Sequence, residues 1–214
     1  MKSITKQKPI EEVKESLEEF DTVFILGCGT CTTMTKTGGI EEVNKMKETL
    51  KEMGKTVTGA IVIPTACDEM TEVSLEDNKK ALQFAKCILV MSCALGAHKL
   101  SQVHDKPVIP GVDTIFIGME DHPGDFYETC VQCGQCVLGW TAGICPLTAC
   151  HKGLLNGPCG GTNKGKCEVD KQKDCAWTLI YNRLKDQNRL SVMHKYRPPK
   201  NYQVIPRPRS LKVT

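Results

Sequence analysis

From Ile10 onward, apolar residues recur at Ile10, Val13, Leu17 and Phe20, the three-to-four spacing of one helix face, behind a proline suited to a first helical turn. The period then changes. Residues 22–27, TVFILG, form a short apolar run that stops at glycine, and the chain next enters an amphipathic segment with Ile40, Val43, Met46, Leu50 and Met53 on one face, ended by Gly54. The alternation repeats with TVTGAIVIP at 56–64, a helical pattern through Leu75 and Leu82, CILVM at 87–91, a helical pattern carrying Leu100 and Val103, then PVIPG and TIFIG. Short β-rich runs alternating with helical segments predict βαβ units and an open parallel sheet covered on both faces. Residues 1–121 therefore read as an α/β domain of open, Rossmann-like type.

After the HPGD stretch the alternation is lost, and residues 122–190 become rich in Gly and Cys. Such a segment holds too few large apolar residues to bury a core of its own, so bound metal is expected to supply much of its folding energy. A helix over 174–190, with Trp177, Ile180, Tyr181 and Leu184, is predicted to close it. Residues 191–214 form a basic, proline-punctuated tail that cannot be helical and is expected to be disordered in isolation or laid along a partner.

Composition narrows the function. The net charge is +3, from 28 basic and 25 acidic residues, and aromatics are 5% of the 214 residues. Neither figure favours nucleic acid, which calls for a basic face and, for single strands, stacking platforms. No apolar run approaches the ~18 residues of a membrane span, and the charged N-terminus lacks the apolar core of a secretory signal. A reducing cytoplasm is the consistent setting, and there thirteen cysteines point to metal rather than disulfides.

Eight of those cysteines lie between Cys130 and Cys175: Cys130, Cys133, Cys136, Cys145, Cys150, Cys159, Cys167 and Cys175. The run CVQCGQC places a thiolate at every third residue, which wraps a short loop round three corners of a cubane. Cys145 precedes Pro146 as the last cysteine of a ferredoxin-type run does, but eight residues separate it from Cys136 instead of three. Eight thiols suit two four-thiolate centres, with pairing left open, and a zinc ribbon fits less well because there is no second CxxC. In the first domain Cys28, Cys31, Cys67 and Cys93 all follow predicted strands, at the edge where sites assemble in open α/β sheets. Four thiols there suit a 4Fe-4S cluster or a tetrahedral zinc. Cys87, at the start of a strand, reads as an ordinary buried residue.

Other signals are weaker. Gly27 and Gly29 resemble a fragment of a dinucleotide-binding turn, but Thr32 stands where a third glycine belongs; the glycines otherwise serve to let backbone amides reach cluster sulfurs. His98, His104, His122, His151 and His194 read as surface or hydrogen-bonded residues, His151 alone sitting beside a candidate ligand. Asp68 and Glu69 read as a charge pair at a helix N-terminus.

The stretches GCGTCTTMTKTGG, PTACDE, MSCALGAH and CGQCVLGWTAGICPLTACHKGLLNGPCGG, continued by GKCEV and KDCAWTLIYNRL, resemble the small iron-sulfur or zinc subunit, of the MetV type, of the methylenetetrahydrofolate reductases of acetogenic bacteria. The resemblance implies that the cysteines of these motifs hold metal: two or three 4Fe-4S clusters, with zinc as the alternative at one four-cysteine group. It also implies a flavin-bearing (FMN or FAD) TIM-barrel subunit as partner, in which 5,10-methylenetetrahydrofolate is reduced to the 5-methyl form. This chain would relay electrons to it from ferredoxin or a larger oxidoreductase. Two alternatives compete: a zinc-stapled structural scaffold for that partner, and a self-contained enzyme using the edge near Cys28 and Cys67.

Overall fold

The computed structural model describes residues 2–204, 207 and 208. The chain divides into two compact units, one running to Tyr127 and the other starting at Glu128.

The first unit is built on a four-stranded parallel sheet of β2 (Thr22–Cys28), β3 (Thr56–Ile63), β4 (Cys87–Met91) and β5 (Val108–Pro110), in the spatial order β3-β2-β4-β5. Because successive side chains of a strand point to opposite faces, the unbroken apolar run of β2 feeds two cores at once. Val23 and Ile25 pack with Leu89, Met91, Val13, Leu17, Val43, Met46 and Leu50, under α1 (Ile10–Ser16) and α3 (Ile40–Glu52). Phe24 and Leu26 pack with Ile88, Val90, Leu75, Leu82 and Leu100, under α4 (Met70–Asp77), α5 (Lys79–Phe84) and α6 (Ala94–Val103). Cys87 is fully buried in the first of these cores, as its position at a strand start indicates. The pattern through Leu75 and Leu82 is two short helices rather than one, with the break at Asn78.

TIFIG does not join the parallel sheet. It lies inside β6 (Val112–His122), which pairs antiparallel with an N-terminal strand, β1 (Lys2–Gln7), and is hydrogen-bonded on its other side to β7 (Asp125–Cys130). The HPGD stretch is the turn between β6 and β7, with Gly124 at φ +89°. A short α2 (Cys31–Met34) follows β2, and hydroxyls of Thr5 on β1, Thr35 and Thr37 bond one another at 2.6–3.0 Å beside it.

The second unit has a small core of Ala142, Trp177, Ile180 and Leu184, with Ile144, Leu154, Leu190 and Met193 packed against it. Its helices are α7 (Pro146–Ala149) and α8 (Ala176–Asp186), the latter shorter than the predicted span and with Tyr181 exposed. The tail, expected to hold no helix, forms single 3-10 turns at Leu190–His194 and Tyr202–Val204. Asn156 and the Arg197 backbone exchange hydrogen bonds of 2.8 and 2.7 Å, the Arg197 guanidinium lies 3.4 Å from the Trp140 ring centroid, and the Asn201 N–H donates to Gln135 Oε1 at 2.8 Å. The tail is thus laid along its own unit by a cation-π contact and paired polar groups. Residues 205, 206 and 209–214 lie outside the described residues.

Candidate metal centres

The strand order places β3 and β4 on opposite sides of β2, so the chain changes direction across the sheet at β2 and β4 and opens a crevice beyond their carboxyl ends. Cys28 is the last residue of β2, Cys31 the first of α2, Cys67 lies in the loop after β3, and Cys93 is the N-cap of α6 after β4. Cys28 and Cys93 are buried, Cys31 is half-buried and Cys67 exposed. The four approach closely enough to interact: partial burial pushes the Cys67 thiol up, and the charges of Cys93, Cys28, Asp68 and Cys31 push it the same way. The Ser3 N–H donates to Cys31 Sγ at 3.4 Å, and Cys28 Sγ lies 3.1 Å from the Thr30 hydroxyl.

Two amides of this turn are taken up by the neighbouring chain: the Cys28 N–H donates to the Gly38 carbonyl at 3.0 Å and the Gly29 N–H to the Ile63 carbonyl at 2.8 Å. A Cβ on Gly27 would stand 2.4 Å from the Gly38 oxygen, and one on Gly38 only 1.8 Å from the Met91 oxygen. Gly27 and Gly38 thus serve close packing of the loop on the sheet. Asp68 accepts from the Met70 N–H at 3.0 Å, the end-of-helix role expected of it.

In the second unit the CVQCGQC loop curls through left-handed residues at Gln132 (φ +49°) and Gly134 (φ +73°), and the Gln132 N–H donates to Cys130 Sγ at 3.4 Å. The same bond from the residue two places on recurs at Cys159, whose sulfur accepts from Gly161 N–H at 3.4 Å. Lys164 (φ +48°) and Gly165 (φ +81°) make the tight turn of a short ribbon in which Asn163 pairs with Lys166 and Lys166 with Asp174. That ribbon puts Cys167 and Cys175 side by side, the Cys167 N–H donating to the Lys173 carbonyl and the Cys175 N–H to the Gly165 carbonyl. Together with Cys150 at the end of α7 and Cys159, they line one cavity.

Charged groups rim that cavity. Lys152 is hydrogen-bonded to Glu168, and Cys159 Sγ lies 3.5 Å from the same carboxylate. The pair holds the Lys152 ammonium above its ordinary value and the Glu168 carboxyl below its own, each chiefly through the other. Cys175 is the N-cap of α8; partial burial pushes its thiol up, but the Thr178 amide and hydroxyl, the Trp177 amide and the Thr162 hydroxyl outweigh that and hold it below the ordinary thiol value. Nothing in the cysteine spacing singled out Lys152, Glu168, Thr162 or Thr178, although Lys152 and Glu168 flank Cys150 and Cys167 within two residues. Cys145 is the N-cap of α7, directly before Pro146. His151 is 3.9 Å from Asp170 rather than turned to a thiol group.

Among the described residues, no three His, Cys, Asp or Glu side chains are arranged so that they could hold a metal ion as they lie. In donor kind and number, two groups fit a four-thiolate centre: the strand-edge set of Cys28, Cys31, Cys67 and Cys93, and the cavity set in the second unit. All thirteen cysteines are thiols.

Residues 109–203, somewhat under half of the chain, match the family described as "Methylene-tetrahydrofolate reductase C terminal". The matched segment contains all eight cysteines of the second group and none of the strand-edge four. No curated protein and no solved structure matches the chain. Among the described residues, no helix is long and apolar enough to cross a membrane.

Proposed function

We propose that this chain is the iron-sulfur electron-transfer subunit of a methylenetetrahydrofolate reductase, passing electrons to a flavin-bearing partner in which the methylene group is reduced to methyl. The observation that carries this reading is the coincidence of two independent facts. The segment similar to the reductase C-terminal family is also the segment that holds eight thiols, four of them around one cavity.

The chain's residues have defined work in this reading. Cys130, Cys133, Cys136, Cys145, Cys150, Cys159, Cys167 and Cys175 would hold 4Fe-4S clusters, and Cys28, Cys31, Cys67 and Cys93 a further cluster or a zinc. When bound, such clusters supply one-electron transfer, which a flavin converts into a two-electron reduction. Backbone amides at Gln132 and Gly161 donate to the sulfurs of Cys130 and Cys159, contacts that would tune the potential of a cluster held there. Lys152 and Glu168 would border the cavity as a neutral ion pair. The partner would be a flavin TIM-barrel subunit, with ferredoxin or a larger oxidoreductase as donor.

The test uses the chain in complex with its flavin partner under strict anaerobiosis. Cys133→Ala should lower folate reduction by a donor entering through this subunit at least about a hundredfold, the scale of removing a ligand or its support. Reduction of the flavin by an artificial donor acting directly on the partner should be unchanged. Equal loss of both activities, or a colourless wild-type chain that holds only zinc, would replace the relay with a scaffold role.

A further inference from the structure

The spacing of the eight cysteines leaves their pairing open, but the second unit does not treat them alike. We propose that Cys150, Cys159, Cys167 and Cys175 form one four-thiolate metal centre, leaving Cys130, Cys133, Cys136 and Cys145 to form the other. The inference rests on the reading of this unit as metal-binding and adds to it a partition of the ligands.

Three observations converge on the partition. The four thiols line a single cavity although they come from separate stretches of chain: the end of α7, the loop after Gly157, the ribbon and the start of α8. Cys130, Cys133, Cys136 and Cys145 do not line it. Cys175 is the N-cap of the eleven-residue α8, whose first residues Ala176 and Trp177 line the same cavity, so that helix fixes its place there. Lastly, the antiparallel pairing of Lys166 with Asp174 sets Cys167 on the stretch of chain that runs alongside Cys175.

Binding converts four S–H groups into four metal-sulfur bonds and releases four protons to solvent. The resulting charge lies beside the Lys152–Glu168 ion pair, whose own charges cancel. Glu168, which bridges Lys152 and Cys159, would lose the Cys159 contact as that sulfur turns to metal, while keeping its bond to Lys152. A tetrahedral zinc and an iron-sulfur cluster make the same demand on the four sulfurs, and the experiment separates them by elemental content.

The test is stepwise chelation of the full-length chain, prepared anaerobically with its metals, with released thiols trapped by N-ethylmaleimide and mapped by mass spectrometry. Cys150, Cys159, Cys167 and Cys175 should become labelled together. Labelling of any one of them in step with Cys130, Cys133 and Cys136, while the other three stay protected, would overturn the partition. Metal content gives a second arm. Cys159→Ser and Cys167→Ser should each lose the same one centre, and the double variant no more than either, whereas Cys167→Ser with Cys133→Ser should lose two. Loss of two centres from Cys159→Ser with Cys167→Ser would sink the proposal. Zinc in place of iron with the expected partition leaves this inference standing and removes the electron-transfer reading. Iron and sulfide with a different partition does the reverse.

Discussion

Cys87 and Cys175 carry the same side chain and are driven to opposite chemistry by their surroundings. Cys175 sits among amide and hydroxyl donors that favour its thiolate. Cys87 is fully buried between β2, β5 and the helices of one core, and burial pushes its thiol from 9.0 up to about 11. An acid held above its ordinary value in the folded chain ionises first in the unfolded chain, so the folded state keeps a proton that the unfolded state has lost. Stability therefore falls as pH rises from 9.0 through about 11. At roughly 1.4 kcal/mol per unit, the loss attributable to this thiol is on the order of 2–3 kcal/mol. Cys87→Ala removes that dependence and costs about 1–2 kcal/mol in packing. Urea unfolding should find the wild type more stable at pH 8 and the variant equal or more stable above pH 11. Parallel curves for the two proteins across that range would contradict the burial argument.

At the scale of elements, a buried hydroxyl reaches two strands at the carboxyl edge of the sheet. Thr32 on α2 is fully buried, and its Oγ1 stands 3.1 Å from both the Cys28 carbonyl at the end of β2 and the Met91 carbonyl at the end of β4. It ties together the two strands between which the crevice opens. Thr32→Val keeps the shape and removes the tie from α2 to the Met91 carbonyl, while the Cys28 carbonyl keeps the Thr33 hydroxyl at 2.8 Å; it should cost about 1 kcal/mol, read as a lower urea midpoint with an unchanged slope. The same element shows what the sequence reveals and what it hides. Strands β2 and β4 were legible because burial on both faces makes them continuously apolar, β3 by its apolar second half AIVI, and α3 and α6 because one helix face repeats. β1 was not legible: KSITKQ offers one large apolar residue, and its burial falls on Ser3, Ile4 and Thr5, whose hydroxyls and amides find partners on α2 and its flanking loop. TIFIG was legible as a strand but not as a member of the second sheet, because periodicity reports a face and not a neighbour. The strand-edge cysteines could be placed from their positions after apolar runs. The cavity cysteines could not be grouped, since the pairing of Lys166 with Asp174 that sets Cys167 alongside Cys175 leaves no trace in the cysteine spacing.

For the whole molecule, the two units differ in what holds them together. The first has a sheet with a full apolar core on each face, whereas the second buries Ala142, Trp177, Ile180 and Leu184 and little else of size. A unit with so small a core calls for cross-links, and on the proposed reading these are metal centres held by its thiolates. Metal removal should therefore unfold the second unit while the first stays folded. Both tryptophans report on the second unit alone: Trp177 is buried with its indole N–H donating to the Leu154 carbonyl at 3.0 Å, and Trp140 is stacked under Arg197. Under a strong chelator at neutral pH and without oxygen, tryptophan emission should shift to the red as in denaturant, and amides of α8 should lose protection from hydrogen exchange. Amides of β2 and β4 should stay protected until a separate unfolding step at higher urea. A chelated chain that keeps blue tryptophan emission and a protected α8 would mean that apolar packing alone sustains the second unit, and that metal there contributes little to the fold.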